Sequence, residues 1–289
     1  MYHYIYDSFI GERRFRRQLA AIEHKLTELG IVGERERVTP IRTVEEIMKL
    51  GLARHAKTIV VFGNDYTFTK ALNAGLAAGM DPTETVLAII PFGEPNYIAK
   101  RLGLRGEAVS VQELAARKTA TIDVGRVNKR FFITTVDVGF EAEHKTRREQ
   151  VLEKISAFTA QHRIKKYKPQ AVKILIDNQY LVTSPLFNLT VVNLNNEPDD
   201  LQRADHREKK LRLTVVPYSE QIINQASLVA RREYGRLANA SIFWAQEIKI
   251  AGPKTVKIAT DGVLYDMLPL RIEMIPKAAK VIVGKGRAF

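Results

Sequence analysis

Apolar positions in the first part of the chain follow two alternating rhythms. Short continuous runs, "YHYIY" (2–6), "KTIVVF" (57–62) and "TVLAII" (85–90), read as strands. Between them lie segments whose apolar positions fall three and four residues apart. In "ERRFRRQLAAIEHKLTELG" (12–30) these are Phe15, Leu19, Ile22, Leu26 and Leu29, with Gly30 as the stop. Further helices are predicted over 42–52, 67–79 and 96–104. Unbroken apolar strands are those buried on both faces of a parallel sheet. Their alternation with helices predicts an α/β domain over 1–118 with helices on both sides of the sheet.

After residue 118 the texture changes. "TATIDVGRVNKRFFITTVDVGF" (119–140) carries two β-rich runs around a turn, and a helix is expected over roughly 144–162. Strands then return at short intervals: 171–177, 185–194, 210–218, 240–252, 255–260, 268–276 and 279–284. This spacing predicts an antiparallel second domain of β-sandwich type over 119–276, with 277–289 as the segment available to complete the first. "NNEPDDLQRADHREK" (195–209) has charges, a proline and little to bury, so it reads as a mobile loop.

Composition narrows the chemistry. The 289 residues contain no cysteine, which removes disulfides, thiolate nucleophiles and Cys-based metal sites and fits a reducing compartment. The start lacks the layout of a secretory signal, and the apolar runs are too short to span a bilayer, so a cytoplasmic protein is expected. The formal net charge of +13 favours anionic partners. Residues 126–173 hold 12 Lys/Arg against 5 Asp/Glu, either a solvated face or a patch for peripheral contact with an anionic membrane surface. No aromatic-interleaved or helix-turn-helix context accompanies the charge, which argues against nucleic acid. The six histidines show no metal-ligand spacing, and no G-x-S-x-G elbow occurs. Glu141 and Glu143 flank a predicted helix start, where acids are expected as capping partners.

Strand-to-helix turns are where α/β proteins hold anions, because the first N–H groups of a helix point outward and carry partial positive charge. "GNDYT" (63–67) and "PFGEPN" (91–96) occupy two adjacent turns of this kind, with Thr67 expected as an N-cap. Neither G-x-x-x-x-G-K-[ST] nor G-x-G-x-x-G is present, so on this evidence ordinary βα turns are the favoured account.

The order of segments resembles the diacylglycerol kinase catalytic-domain family, a group of lipid and sphingosine kinases related more distantly to NAD kinases. "GNDYT" is similar to the family's G-G-D-G-T through Gly63, Asp65 and Thr67, and "ALNAGL" (71–76) to the helix that follows. "PFGEPNYIAKRLG" (91–103) is similar to P-x-G-T-x-N-D-F-A-R…L-G through Pro91, Gly93, Asn96, Ala99, Leu102 and Gly103. "VDVGFEA" (136–142) resembles S-x-G-F-D-A, and 260–284 resembles the closing D-G-E…P…I…P…A…V.

The resemblance implies an N-terminal NAD kinase/diacylglycerol kinase-like domain, ATP and Mg²⁺ as cofactors, and phosphoryl transfer to a lipid hydroxyl. Gly63, Asn64, Asp65, Thr67, Lys70, Gly93, Asn96 and Lys100 would then line the nucleotide crevice, with Asp261 as the base. The departures fall on the same loops. Asn64 and Tyr66 stand where the family has glycines, Glu94 where it has a hydroxyl, Tyr97 where it has Asp, and Val263 where it has Glu. Asp261-Gly262 is equally a favoured hairpin turn. Asp205 is the one echo of a metal-ordering D-D-G-x-L stretch. Two functions follow: a divergent ATP-dependent lipid kinase, weak or inactive, or a non-catalytic descendant that binds lipid, nucleotide or protein.

Overall fold

A computed structural model describes residues 1–143, 156–193, 210–265 and 267–287. The expected loop at 195–209, Asp205 within it, and the first part of the helix expected at 144–162 lie outside the described residues. The chain divides into two compact units, Met1–Val124 with Ile275–Phe289, and Gly125–Met274.

The first unit runs β1 (Tyr2–Tyr6), α1 (Arg16–Glu28), β2 (Gly33–Arg37), α2 (Val44–Ala53), β3 (Thr58–Gly63), α3 (Asp65–Ala77), β4 (Val86–Pro91), α4 (Tyr97–Arg101) and α5 (Glu107–Ala115). Its sheet order is β2-β1-β3-β4, closed by the end of the last strand, whose Lys280 and Val281 pair in parallel with Val86 and Leu87. Every residue of β3 and β4 is buried, as continuous apolar runs require. Helix α2 starts on a reciprocal cap. The Thr43 hydroxyl accepts the Glu46 N–H, and the Glu46 carboxylate accepts the Thr43 N–H.

Two elements depart from the pattern. β2, "GERER", has no apolar alternation because it is an edge strand, pairing only β1 among the described residues, and its charges face solvent and neighbouring helices. Helix α4 stops at Arg101 rather than 104, because Gly103 turns to φ +78° and lies against Gly284. The Gly284 N–H donates to the Leu102 carbonyl at 2.7 Å.

The chain leaves this unit along β5 (Thr119–Val127), followed by β6 (Arg130–Phe132), β7 (Thr135–Gly139), α6 (Phe140–Glu143) and α7 (Ala157–Lys166). Then come β8 (Gln170–Ile176), β9 (Tyr180–Val192), β10 (Leu211–Pro217), α8 (Ala226–Ala230), β11 (Ser241–Ala245), β12 (Glu247–Ala251), β13 (Ile258–Thr260), β14 (Val263–Tyr265) and β15 (Leu270–Ile282). The second unit is antiparallel, in the order β14-β13-β7-β9-β8-β12-β15, with β10 on β9 and β11 on β10.

The run 240–252 is two strands, because Asp177 accepts the N–H groups of Gln246 and Glu247 and breaks the run between different partners. Conversely, 268–276 and 279–284 form one strand, β15. A core of Val, Ile and Leu side chains from β7 to β15 fills this unit. A second cluster, around Phe140, Ile164, Phe187 and Ile222, lies under α7 and α8. No helix among the described residues is long and apolar enough to cross a membrane.

Candidate functional site

The two turns singled out in the sequence adjoin one another. Gly63 is the register partner of Pro91, and the Phe92 N–H donates to the Gly63 carbonyl at 2.8 Å. Asn64, not Thr67, caps α3: its Oδ1 accepts the N–H groups of Tyr66 (3.1 Å) and Thr67 (3.4 Å). Its Nδ2 reaches across to the Glu94 carbonyl at 3.0 Å. Thr67 is not the cap because its hydroxyl is turned towards the Asp7 carboxylate, sixty residues earlier. Asp7 and Phe9, against which Gly93 packs, carried no local signal.

Asp65 is buried and serves the second turn. Its carboxylate accepts the N–H groups of Tyr97 at 2.6 Å and Ile98 at 3.0 Å, the start of α4. Its own N–H donates to the Pro95 carbonyl at 3.0 Å. The Asn96 amide donates to Gly93, while its Oδ1 is shielded from solvent without a partner among the described residues. Tyr66 is half-buried, with its hydroxyl oxygen shielded from solvent. Glu94, Lys70 and Lys100 are exposed. The Lys100 ammonium lies 5.8 Å from the centre of the Tyr97 ring, a cation–π distance.

Four N–H groups at the starts of α3 and α4, those that would grip an anion, are thus accepted by Asn64 and Asp65. Gly63 and Gly93 are needed for packing as much as for backbone approach. A Cβ on Gly63 would lie 2.9 Å from the Thr67 side chain, and one on Gly93 3.0 Å from Phe9.

In the second unit, Asp261 and Gly262 form a two-residue turn between β13 and β14, both at positive φ (46° and 82°), with Thr260 opposite Val263. This is the geometry of a primed hairpin turn. The Asp261 side chain points inward. Its Oδ2 accepts the Ile133 N–H at 2.9 Å, and its Oδ1 accepts the Thr134 N–H (2.8 Å), the Thr134 hydroxyl (2.7 Å) and the Thr135 N–H (3.1 Å). Burial pushes its carboxyl up from the usual value, and these four donors pull against that shift.

Glu141 does not cap a helix. It is buried, with one oxygen accepting the Tyr234 hydroxyl at 2.6 Å and the other 3.0 Å from Arg232. The Glu141 N–H donates to Asn188, whose amide leads through Thr190 to Asp137. Burial and Glu141 together hold the Tyr234 phenol well above the usual range. Among the described residues no three acidic or histidine side chains gather to hold a metal ion.

Residues 2–127 match the model of the diacylglycerol kinase catalytic domain. Over these residues, less than half of its length, the chain is similar to that family. It is 30% identical over 145 residues to a Pseudomonas aeruginosa protein described as "Probable lipid kinase YegS-like", covering 50% of this chain and 46% of that one. The chain therefore spans about half the length of the curated relatives it matches. A diacylglycerol kinase structure from Bacillus anthracis superposes with a TM-score of 0.73 at 16% identity, covering 98% of this chain and 97% of that one. Yeast NADH kinase complexed with NADH gives 0.51 at 9% identity, over 99% of this chain and 85% of that one. These two likenesses establish the fold: an N-terminal diacylglycerol kinase/NAD kinase-like α/β domain and an antiparallel C-terminal one.

Proposed function

We propose that this chain is a lipid-kinase scaffold whose nucleotide loops are closed by their own side chains. ATP-dependent transfer to a lipid hydroxyl is then weak or lost, and the protein acts by binding lipid, with peripheral contact at an anionic membrane. The observation that carries this reading is the self-capped pair of helix starts at Asn64 and Asp65. A phosphate entering there must displace the Asn64 cap, a loss of about 1 kcal/mol. It must also approach the Asp65 carboxylate. At about 4 Å and an effective dielectric of about 20, that repulsion is roughly 4 kcal/mol per charge pair. Lys70 and Lys100 can offset part of this from solvent, where each is worth little.

Phosphoryl transfer asks a protein mainly for positioning and charge stabilisation, and the loop donors that would position the phosphates are occupied. Among the described residues no cluster of carboxylates fits a Mg²⁺ ion. In this reading Asp261 is a clamp on residues 133–135, since each of its oxygens already accepts from that segment. Val263 beside it neither accepts a proton nor binds metal.

The test is nucleotide binding. A ligand that binds only the folded state must raise its melting temperature. Millimolar Mg-ATP is expected to leave the Tm unchanged and to label no diacylglycerol in mixed micelles. A clear upward shift together with lipid phosphorylation would establish a working kinase instead.

A further inference from the structure

On one face of the second unit's sheet, four strands place their side chains in a single rank. Leu181 of β9 is opposite Leu175 of β8, Leu175 is opposite Lys249 of β12, and Lys249 is opposite Arg271 of β15. Directly opposed residues share a face, and strands lie about 4.8 Å apart, so the rank spans roughly 14 Å. The next rank sets Thr183 against Lys173 and Lys173 against Ala251. All of these but Thr183 line a groove of about 380 Å³ with mainly apolar walls.

Its two ends differ. At one, Leu181 is 65% exposed on a strand next to a tight turn, where an apolar side chain gains nothing from water. Lys173 stands beside Leu175 on β8, and Lys249 and Arg271 occupy the far end. Glu247 and Glu273 partly neutralise the last two: Glu247 lies 3.6 Å from Lys249 and 2.6 Å from Arg271, Glu273 lies 3.4 Å from Arg271, and Asn178 accepts from Lys249 at 2.8 Å. Lys173 is exposed and forms no ion pair among the described residues.

We infer that this face docks on an anionic bilayer, with Leu181 entering the headgroup region and Lys173, Lys249 and Arg271 meeting lipid phosphates. One property of the groove and one of the whole chain select this partner. An apolar tip beside a cationic rank matches the layering of a membrane interface, apolar beneath and anionic above. The formal charge of +13 draws the whole chain to such a surface. This rests on the membrane contact proposed above and not on the nucleotide loops, so its failure leaves the ATP result intact, and the reverse.

The experiment is flotation of the full chain with vesicles of phosphatidylglycerol and phosphatidylcholine, against phosphatidylcholine alone, at low and high salt. Binding is expected only to the anionic vesicles and to weaken with salt. Lys173→Glu changes the local charge by two units and is expected to weaken binding about thirtyfold, from roughly fivefold in affinity per unit of charge. Leu181→Asp should weaken it at least tenfold. Both side chains are exposed, so circular dichroism should report an unchanged fold. The control reverses Lys165 and Lys166 on α7 and should change affinity less than threefold. Equal binding to neutral vesicles, no binding to anionic ones, full affinity in Lys173→Glu and Leu181→Asp, or an equally large loss in the α7 control would each overturn the inference.

Discussion

Replacing Asp261 separates a clamp from a catalytic base. In Asp261→Ala, two buried backbone N–H groups, a third that is part-buried and one buried hydroxyl lose their acceptor at a single stroke. Each unsatisfied buried donor costs about 1–3 kcal/mol. Alanine must also hold the left-handed conformation at φ 46°, which costs roughly 1 kcal/mol more. Even the low end of the range, with the backbone cost added, gives a loss of about 5 kcal/mol, against a typical total stability of about 5–15 kcal/mol. Asp261→Asn keeps the oxygen that accepts three donors and suits the backbone. It turns an NH₂ towards the Ile133 N–H, so the expected loss is only about 1–3 kcal/mol. Urea unfolding followed by tryptophan fluorescence and circular dichroism reads both values. Were Asp261→Ala to stay within about 1 kcal/mol of the parent, or to match Asp261→Asn, the clamp would be wrong; a residue kept only as a base leaves stability nearly untouched when removed.

Gly284→Ala would place a Cβ 2.2 Å from the Gly103 carbonyl oxygen, so a loss of roughly 1–3 kcal/mol or more is expected in the same denaturation assay, and tolerance would show that the contact is loose. Tyr234→Phe strips Glu141 of its hydroxyl donor while keeping the ring, an expected cost of about 1.5–3 kcal/mol by thermal unfolding; a change under about 0.5 kcal/mol would remove the network from the account. Tyr4, Tyr6, Tyr167 and Tyr234 all hold their phenol protons above the usual value, chiefly through burial. Their contribution to stability is therefore complete below about pH 10, the value in an unfolded chain, and declines as pH rises beyond it. Tyrosinate absorbance and loss of ellipticity should rise together in an alkaline titration, and free ionisation of all ten tyrosines in a still-folded protein would contradict this.

The fold was more legible than the site, for reasons that lie in range. β3 and β4 announce themselves because burial on both faces demands unbroken apolar runs, and Gly30 ends α1 through its own left-handed backbone, at φ 67°. The Asp261-Gly262 turn could be read from its two residues alone. β2 could not, since an edge strand between water and charge needs no apolar rhythm. The cap on α3 was misplaced by three residues because Thr67 answers to Asp7, a partner that only the folded sheet brings near. Glu141 looked like a helix-start acid from its neighbours, whereas its partner Tyr234 lies 93 residues away. The occupied donors of the two loops follow from the same kind of distant pairing, Asp65 with Tyr97 and Ile98.

The parallel pairing of β15 with β4 has a consequence during synthesis. The outer edge of β4 is formed by residue 91, yet its neighbour at Lys280 and Val281 leaves the ribosome only after the whole second unit has been made. At about 5–20 residues per second, an apolar strand waits roughly ten to forty seconds with one row of N–H and C=O groups bare. Nascent chains stalled or cleaved before Lys280 should therefore be the ones that chaperones hold and that aggregate when chaperones are scarce.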